Sequence, residues 1–247
     1  MVYLENPPAY EALEDEFAWE KTYAAEKKRR FKEEPVLSRV SAIAKWARLN
    51  LKKPRVVKTG ASQLSQLRRL FPNEESLVLV DVGCGYGDKA ERIADMTRVP
   101  TKPVGVEVSL ALAENANQRL RRFGGYCVQK PAVEGMGEFP DDSVHLVVLS
   151  SFLEHEVQPV ELLTACGRKL APGGRVIIKV PNFGSLNRQV RKERWCGFRY
   201  PDHVNYFTPK TLRATVEKAG LAVQRMGFMD RMPTSDNMWL IAERPRG

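Results

Sequence analysis

The 247-residue sequence contains no apolar run approaching the roughly 20 residues that a membrane-spanning helix needs, and its mean hydropathy is −0.38. A helical integral membrane protein is therefore not expected. Cysteine is scarce: Cys84, Cys127, Cys166 and Cys196 are far apart and form no CxxC pair, which fits neither a disulfide scaffold nor a zinc ribbon. Reduced, mostly buried thiols are the expectation. There are only three histidines, and no internal repeat or low-complexity stretch breaks the chain into arrays. The opening MVYLENPPAYEALEDEF is acidic where a secretory leader is basic, and no apolar segment follows it, so a cytoplasmic location is expected.

What is present suffices for one sizeable core, with 43% hydrophobic and 28% charged residues. The net charge of +9 is unevenly spread: residues 1–60 carry +4, residues 61–180 carry −1 and residues 181–247 carry +6. Basic flanks can attract an anionic substrate, a nucleic acid or a lipid headgroup, although solvated helix faces produce the same excess.

Residues 9–33 and 36–50 have helix-compatible patterns and are expected to form an amino-terminal helical cap over residues 1–60. The basic, proline-containing LKKPRVVKTG at 51–60 reads as a linker, followed by a short helix near 62–70. Beyond it, short β-rich runs alternate with helical ones. Strands are expected at 77–82, 103–108, 125–129, 144–150 and 174–180, with helices at 87–96, 109–122, 158–169 and 208–219. Two closing strands, in LAVQRMGFMD and MWLIAERP, can pair as an antiparallel hairpin. The expected fold class is α/β: a Rossmann-like three-layer sandwich around a mainly parallel seven-stranded sheet with one antiparallel strand, spanning residues 61–247.

The segment Val80-Asp81-Val82-Gly83-Cys84-Gly85-Tyr86-Gly87-Asp88 places three glycines between a strand and a helix. Glycine permits positive φ and close approach of a ligand to the backbone, and the helix start offers unpaired N–H groups. Glu107 ends the next strand twenty residues after Gly87, where a carboxylate can accept hydrogen bonds from both ribose hydroxyls of a nucleoside. Asp88 stands where a dinucleotide-binding GxGxxG turn would have its third glycine, which weakens a nicotinamide reading.

At these residues the sequence resembles the class I S-adenosylmethionine-dependent methyltransferases, over roughly residues 75–245. VDVGCGYG, GVEVS, FPDDSVHLVVLSSFLEHEVQP and LAPGGRVIIKVPN are similar to successive motifs of that family. PDHVNYFTPKTLRATVEKAGL is similar to a bacterial small-molecule subgroup that includes ubiquinone-pathway O-methyltransferases and surface-polysaccharide-pathway enzymes. The resemblance implies S-adenosylmethionine as cofactor, with contacts from Asp81, Gly83, Cys84, Gly85, Glu107, Val108, Val133, Glu134 and Ser150. Asp81 would lie near the ammonium group, Glu107 on the ribose and Val108 on the adenine. The sequence departs from the family at Pro131-Ala132-Val133-Glu134, where an acidic residue usually receives the adenine amino group, and at His145, where an aspartate is common.

Methyl transfer from a sulfonium needs in-line positioning and, for a hydroxyl acceptor, a base worth roughly 10² to 10⁴ in rate. His155 and His203 are the candidate catalytic residues, each following a strand at the expected ligand edge. A metal site at Glu154, His155 and His203 is not expected, since neighbours on a strand or helix point apart. Residues 183–207, with Phe183, Trp195, Phe198, Tyr200, Tyr206, Phe207, Arg188, Arg191, Lys192, Arg194 and Arg199, read as a substrate cover. A small-molecule acceptor is the expected partner, most simply for O-methylation. An RNA methyltransferase has only the basic flanks in its favour, and a non-catalytic cofactor-binding scaffold at a membrane surface has only the basic, aromatic composition of 188–199.

Overall fold

The computed structural model describes residues 2–3, 28, 32, 54–199 and 202–246. The cap helices expected at 9–33 and 36–50 fall almost entirely outside the described residues. Seven strands form one sheet: β1 (Leu77–Val82), β2 (Thr101–Glu107), β3 (Tyr126–Gln129), β4 (Val144–Ser150), β5 (Leu170–Pro181), β6 (Ala222–Arg225) and β7 (Asn237–Glu243). Their order is β3-β2-β1-β4-β5-β7-β6. All pairings are parallel except those of β7, which runs antiparallel to both β5 and β6. The expected parallel sheet with one reversed strand is thus the observed one.

Among the described residues, the α-helices that accompany the sheet are α1 (Arg55–Leu67), α2 (Asp88–Met96), α3 (Leu110–Leu120), α4 (Ala132–Gly137), α5 (Pro159–Lys169), α6 (Leu186–Arg191) and α7 (Pro209–Lys218). The sheet is buried on both faces, so β1 and β4 read as continuous apolar runs rather than alternating ones. Period-two geometry then divides each strand between two cores. Leu77 and Leu79 face a cluster with Val57 and Leu64 of α1 and Ile93 of α2. Val80 and Val82 face the other, with Met136 of α4, Leu162 and Leu163 of α5 and Val216 of α7. No helix among the described residues is long and apolar enough to cross a membrane.

The reading of 51–60 as a linker is corrected from Arg55 onward. Helix α1 starts directly after Pro54 and buries Val56, Val57, Gly60, Ala61, Leu64 and Leu67, so the expected boundary at residue 60 falls inside a helix. Gly60 is needed there because a Cβ would lie 2.7 Å from Cδ1 of Ile93. Buried Arg175 on β5 adds a polar tie, donating to Oε1 of Gln63 at 2.6 Å and of Gln66 at 2.8 Å while pairing with Glu243 at 3.2 Å. Half-buried Pro54 and exposed Arg55 mark the entry to this helix. His145, which stands where an aspartate is common in the family, ties two strands together: its Nδ1 accepts the Val78 N–H at 3.0 Å and its ring meets Phe71 edge-on. Burial holds it below the usual imidazole range, so it acts as a neutral acceptor near the start of β4.

Strand order reverses between β1 and β4, and in open α/β sheets the crevice beyond the carboxyl ends at that point is where ligands bind. The glycine turn follows β1 and the residues Ser151–His155 follow β4, so the topology brings together two of the segments singled out in the sequence.

Candidate cofactor and acceptor site

The glycine turn is built as its composition requires. Gly83, Gly85 and Gly87 have φ of 63°, 56° and 75°, in the left-handed region that costs other L-residues roughly 1–2 kcal/mol. Gly83 is sterically closed as well: a Cβ would sit 2.1 Å from Cδ2 of Phe152. The loop after β4 is therefore seated directly on the turn after β1. The turn is held to β2 by Gly83 N–H and Cys84 N–H donating to the Val106 carbonyl at 2.8 and 3.2 Å. The Glu107 carboxylate is oriented from both sides, accepting from Gly85 N–H at 2.8 Å and Ser109 N–H at 3.1 Å.

Asp81 is fully buried, and neither carboxylate oxygen has a hydrogen-bond partner. Its cationic neighbour is Lys89, the second residue of α2, with Nζ 3.6 Å from Oδ2. Burial raises the Asp81 pKa to about 6 against the pull of Lys89. Lys89 itself stays above its ordinary value, because Asp81 and Asp88 outweigh its own partial burial. A buried carboxylate without a donor is costly unless a ligand completes it.

Other expected cofactor residues are distributed around this core. The Cys84 side chain points under the turn rather than outward: it is buried, its Sγ lies 3.7 Å from Cys127 Sγ, and a Cβ on Gly105 would be 2.5 Å from it. Only its backbone is available to a ligand, and the Cys127 contact together with burial pushes its thiol well above the ordinary range. The carbonyl of Val108 accepts from Gln129 Nε2 at 2.9 Å. Val133 packs partly against the core at the start of α4, and Glu134 in the same turn is exposed. Gly135, which a Cβ would bring 2.4 Å from Val106, lets α4 lie against β2. Ser150 ends β4 opposite Lys179.

On the other side of the crevice the chain turns sharply after β4. Ser151 has φ of 59°, an uncommon conformation for a residue with a side chain, and its hydroxyl accepts from Lys179 Nζ at 2.6 Å. His155 N–H donates to Phe152 O at 2.8 Å, so Glu154 and His155 occupy a tight turn and not a strand or helix. Residues 203–205 run alongside: Val204 N–H and Asn205 N–H donate to Glu154 O at 2.9 and 3.0 Å, and Asn205 Nδ2 reaches Glu156 O at 2.6 Å. Within this ribbon the imidazoles of His155 and His203 meet edge-on, with ring centroids 4.6 Å apart.

The expectation that Glu154, His155 and His203 would point apart is corrected here. One ligating atom from each lies within 4.8 Å of the others. Both rings contact backbone carbonyls through Nδ1, at 2.8 Å for His155 to Asp202 and 2.7 Å for His203 to Gly197. A carbonyl can only accept, so in the neutral ring Nδ1 carries the proton and Nε2 the lone pair. Burial pushes His155 down to about 4, opposed by its bond to Asp202, and pushes Glu154 up to about 7. Glu154 Oε2 is buried without a hydrogen-bond partner. Lys179 and Arg199 act electrostatically on Glu154, and burial lowers Lys179, with Lys89 and Arg199 adding to that effect.

The aromatics of 183–207 divide. Phe183, Trp195, Phe198 and Tyr206 stack on one another at centroid distances of 5.2 to 6.2 Å, with Trp195 anchored by its indole N–H to Asp236 at 2.7 Å. Phe207 belongs to the core, and Tyr200 lies outside the described residues. The Arg188 guanidinium lies 4.1 Å over Phe183. The Nε atoms of Arg188 and Arg199 are buried and lack hydrogen-bond partners among the described residues. Lys89 and Lys179 were not singled out in the sequence, and Glu154 was set aside there as a metal ligand. A lysine at the second position of the helix after a glycine turn was the available signal for the first; the roles of the other two depend on tertiary contacts.

A family model described as a methyltransferase domain matches residues 58–225. A ubiquinone biosynthesis O-methyltransferase of Nitrosococcus oceani is 27% identical over 160 residues, covering 60% of this chain and 64% of that protein. Its namesake from Idiomarina loihiensis is 31% identical over 134 residues, covering 53% and 51%. The chain thus spans between one half and two thirds of the length of these two relatives. Among solved structures, a chain in complex with the Haloferax volcanii Trm112 methyltransferase activator superposes with a TM-score of 0.58 at 18% identity, covering 75% of this chain and 89% of that one. Fold, strand order, glycine turn and family match coincide, and the chain belongs to the class I S-adenosylmethionine-dependent methyltransferases.

Proposed function

We propose that this chain methylates an oxygen of a small acceptor carrying an anionic group. The observation that carries the reading is the Asp81 carboxylate, buried beside the glycine turn with neither oxygen hydrogen-bonded. An ammonium group docked there would receive the charge-assisted hydrogen bonds that the protein does not supply, and the Lys89 ammonium 3.6 Å away would meet the neighbouring carboxylate of an amino acid. The S-adenosylmethionine that family membership implies has such a zwitterionic end, and when bound it supplies a methyl group on an already activated, positively charged sulfur. Glu107, held in place by two backbone N–H groups, keeps lone pairs for the ribose hydroxyls. Val108 and Val133 would flank the adenine. The cradle has no room for a side chain at Gly83.

The acceptor would enter from the β4 side, where His155 and His203 stand on the ribbon beside the glycine turn. The acceptor oxygen contributes the electron pair of the new C–O bond, the C–S pair returns to sulfur, and the hydroxyl proton passes to water. Lys179 and the arginines at 188 and 199 supply the positive charge that would hold an anionic acceptor. Support for oxygen as the receiving atom comes from the two relatives named as O-methyltransferases. Val2–Tyr3 would help to enclose the acceptor, since this segment pairs antiparallel with Asn205–Tyr206, just beyond His203.

The test has two stages. Calorimetry should show heat with S-adenosylmethionine and with its demethylated product, and no heat with either removes the proposal. Mass spectrometry of a lysate incubated with the chain and isotope-labelled cofactor should then reveal a labelled acid or phosphate ester carrying a new methoxy group.

A further inference from the structure

We propose that Glu154, His155 and His203 hold one divalent transition-metal ion at the acceptor side of the crevice. Three features carry this. The two imidazoles and the carboxylate converge to within 4.8 Å although 48 residues separate the first from the last position of the set. Each imidazole has its Nδ1 committed to a backbone carbonyl, the arrangement by which outer hydrogen bonds fix a ligating histidine with Nε2 as the donor atom. Glu154 Oε2 is buried without a hydrogen-bond partner, and a cation is the simplest group that would satisfy it.

The donor set selects the ion. Two imidazoles with one carboxylate suit Zn²⁺, Fe²⁺, Co²⁺ or Ni²⁺, whereas Mg²⁺ and Ca²⁺ favour oxygen ligands throughout. Bonds of about 2.0–2.1 Å in a tetrahedral arrangement place ligating atoms roughly 3.4 Å apart, so the three atoms need to close by at most roughly 1.4 Å. Three protein ligands leave a position open. Phe152, two residues before Glu154, packs against the glycine turn at Gly83, so the three ligands stand on a loop that touches the proposed cofactor cradle.

The role suggested for the ion deepens the methyl-transfer reading and rests on it. An acceptor hydroxyl bound at the open position gives its proton to water more readily than a free one, because the cation stabilises the oxyanion that remains. That oxygen then forms the C–O bond as the C–S pair returns to sulfur. His155 and His203 would thus act by holding the cation and not by taking the proton themselves.

Cobalt is the probe. Full-length chain stripped with a chelator and titrated with Co²⁺ should take up one ion per chain, with visible d–d absorption that Zn²⁺ abolishes by displacement. His155→Ala and His203→Ala should each weaken uptake by at least about tenfold, and the near-isosteric Glu154→Gln should also weaken it. No band in the wild-type chain overturns the proposal, whether or not any variant folds. Unchanged uptake in folded His203→Ala would overturn it too, placing the ion elsewhere. Calorimetry with the demethylated cofactor product on the same samples reads the methyl-transfer proposal separately: product binding without metal uptake sinks only the ion, and metal uptake without product binding sinks only the cofactor role.

Discussion

Asp81→Asn should separate the stability of this chain from its affinity for the cofactor. The Asp81 carboxyl rises from 3.8 to about 6 on folding, mainly through burial. At 1.36 kcal/mol per pH unit, ionising it in the folded state costs about 3 kcal/mol. Below pH 3.8 the group is protonated in both states and contributes nothing. As pH rises from there the unfolded chain ionises first and stability falls, and above about pH 6 the cost is complete. Between pH 4.5 and 7.5 the wild-type chain should therefore lose about 2 kcal/mol from this residue alone. Asp81→Asn should remove that loss, because asparagine does not titrate. The absolute stability of the variant is less informative, since the amide remains buried and Lys89 loses its counter-charge. Urea unfolding of the cofactor-free proteins at the two pH values measures the difference in slope, in which other carboxyl groups cancel. The variant should also bind the demethylated cofactor product roughly 10- to 150-fold more weakly, as expected for the loss of a charge-assisted hydrogen bond worth about 1.5–3 kcal/mol. Parallel stability–pH curves for the two proteins would refute the argument that this carboxylate is held at a cost for a ligand.

Lys89→Met should weaken binding of the demethylated product by about tenfold or more while leaving 5′-methylthioadenosine, which lacks the amino-acid end, within about threefold; calorimetry with both ligands checks this. Glu107→Ala should weaken binding of either ligand more than His155→Ala does, and equal losses in parallel titrations would count against the assignment of Glu107 to the ribose. Gly83→Ala combines a backbone conformation unfavourable by roughly 1–2 kcal/mol with a contact that Phe152 must vacate, so a lower melting temperature and loss of product binding should appear together. Wild-type affinity for the product should fall as pH drops below about 6, where Asp81 takes up a proton, and Asp81→Asn should lack that dependence.

Sequence legibility was highest where the constraint is local. Positive φ at Gly83, Gly85 and Gly87 is a property of three adjacent peptide units, and the strand before them and the helix after them show in the apolar pattern. The parallel sheet and its reversed last strand follow from the same kind of pattern, because strands buried on both faces must be apolar throughout. Alternation along β1 even places Asp81 on the face of Leu77 and Leu79, toward the helix that bears Lys89.

Other features were settled by contacts between distant segments. The basic residues near Pro54 conceal the start of α1, since the buried stripe of that helix is recognised only against Ile93 and Arg175. Cys84 sits in the ligand turn by position, yet the gap at Gly105 draws its side chain beneath it. His145 is only a departure from the family pattern in one dimension and is an acceptor for the Val78 N–H in three. Glu154 and His155 become neighbours of His203 through backbone hydrogen bonds between two loops, and no periodicity in one chain segment encodes such a meeting. Turns and strands obey rules a few residues long, whereas the charge and proton state of a buried group depend on whatever the fold packs around it.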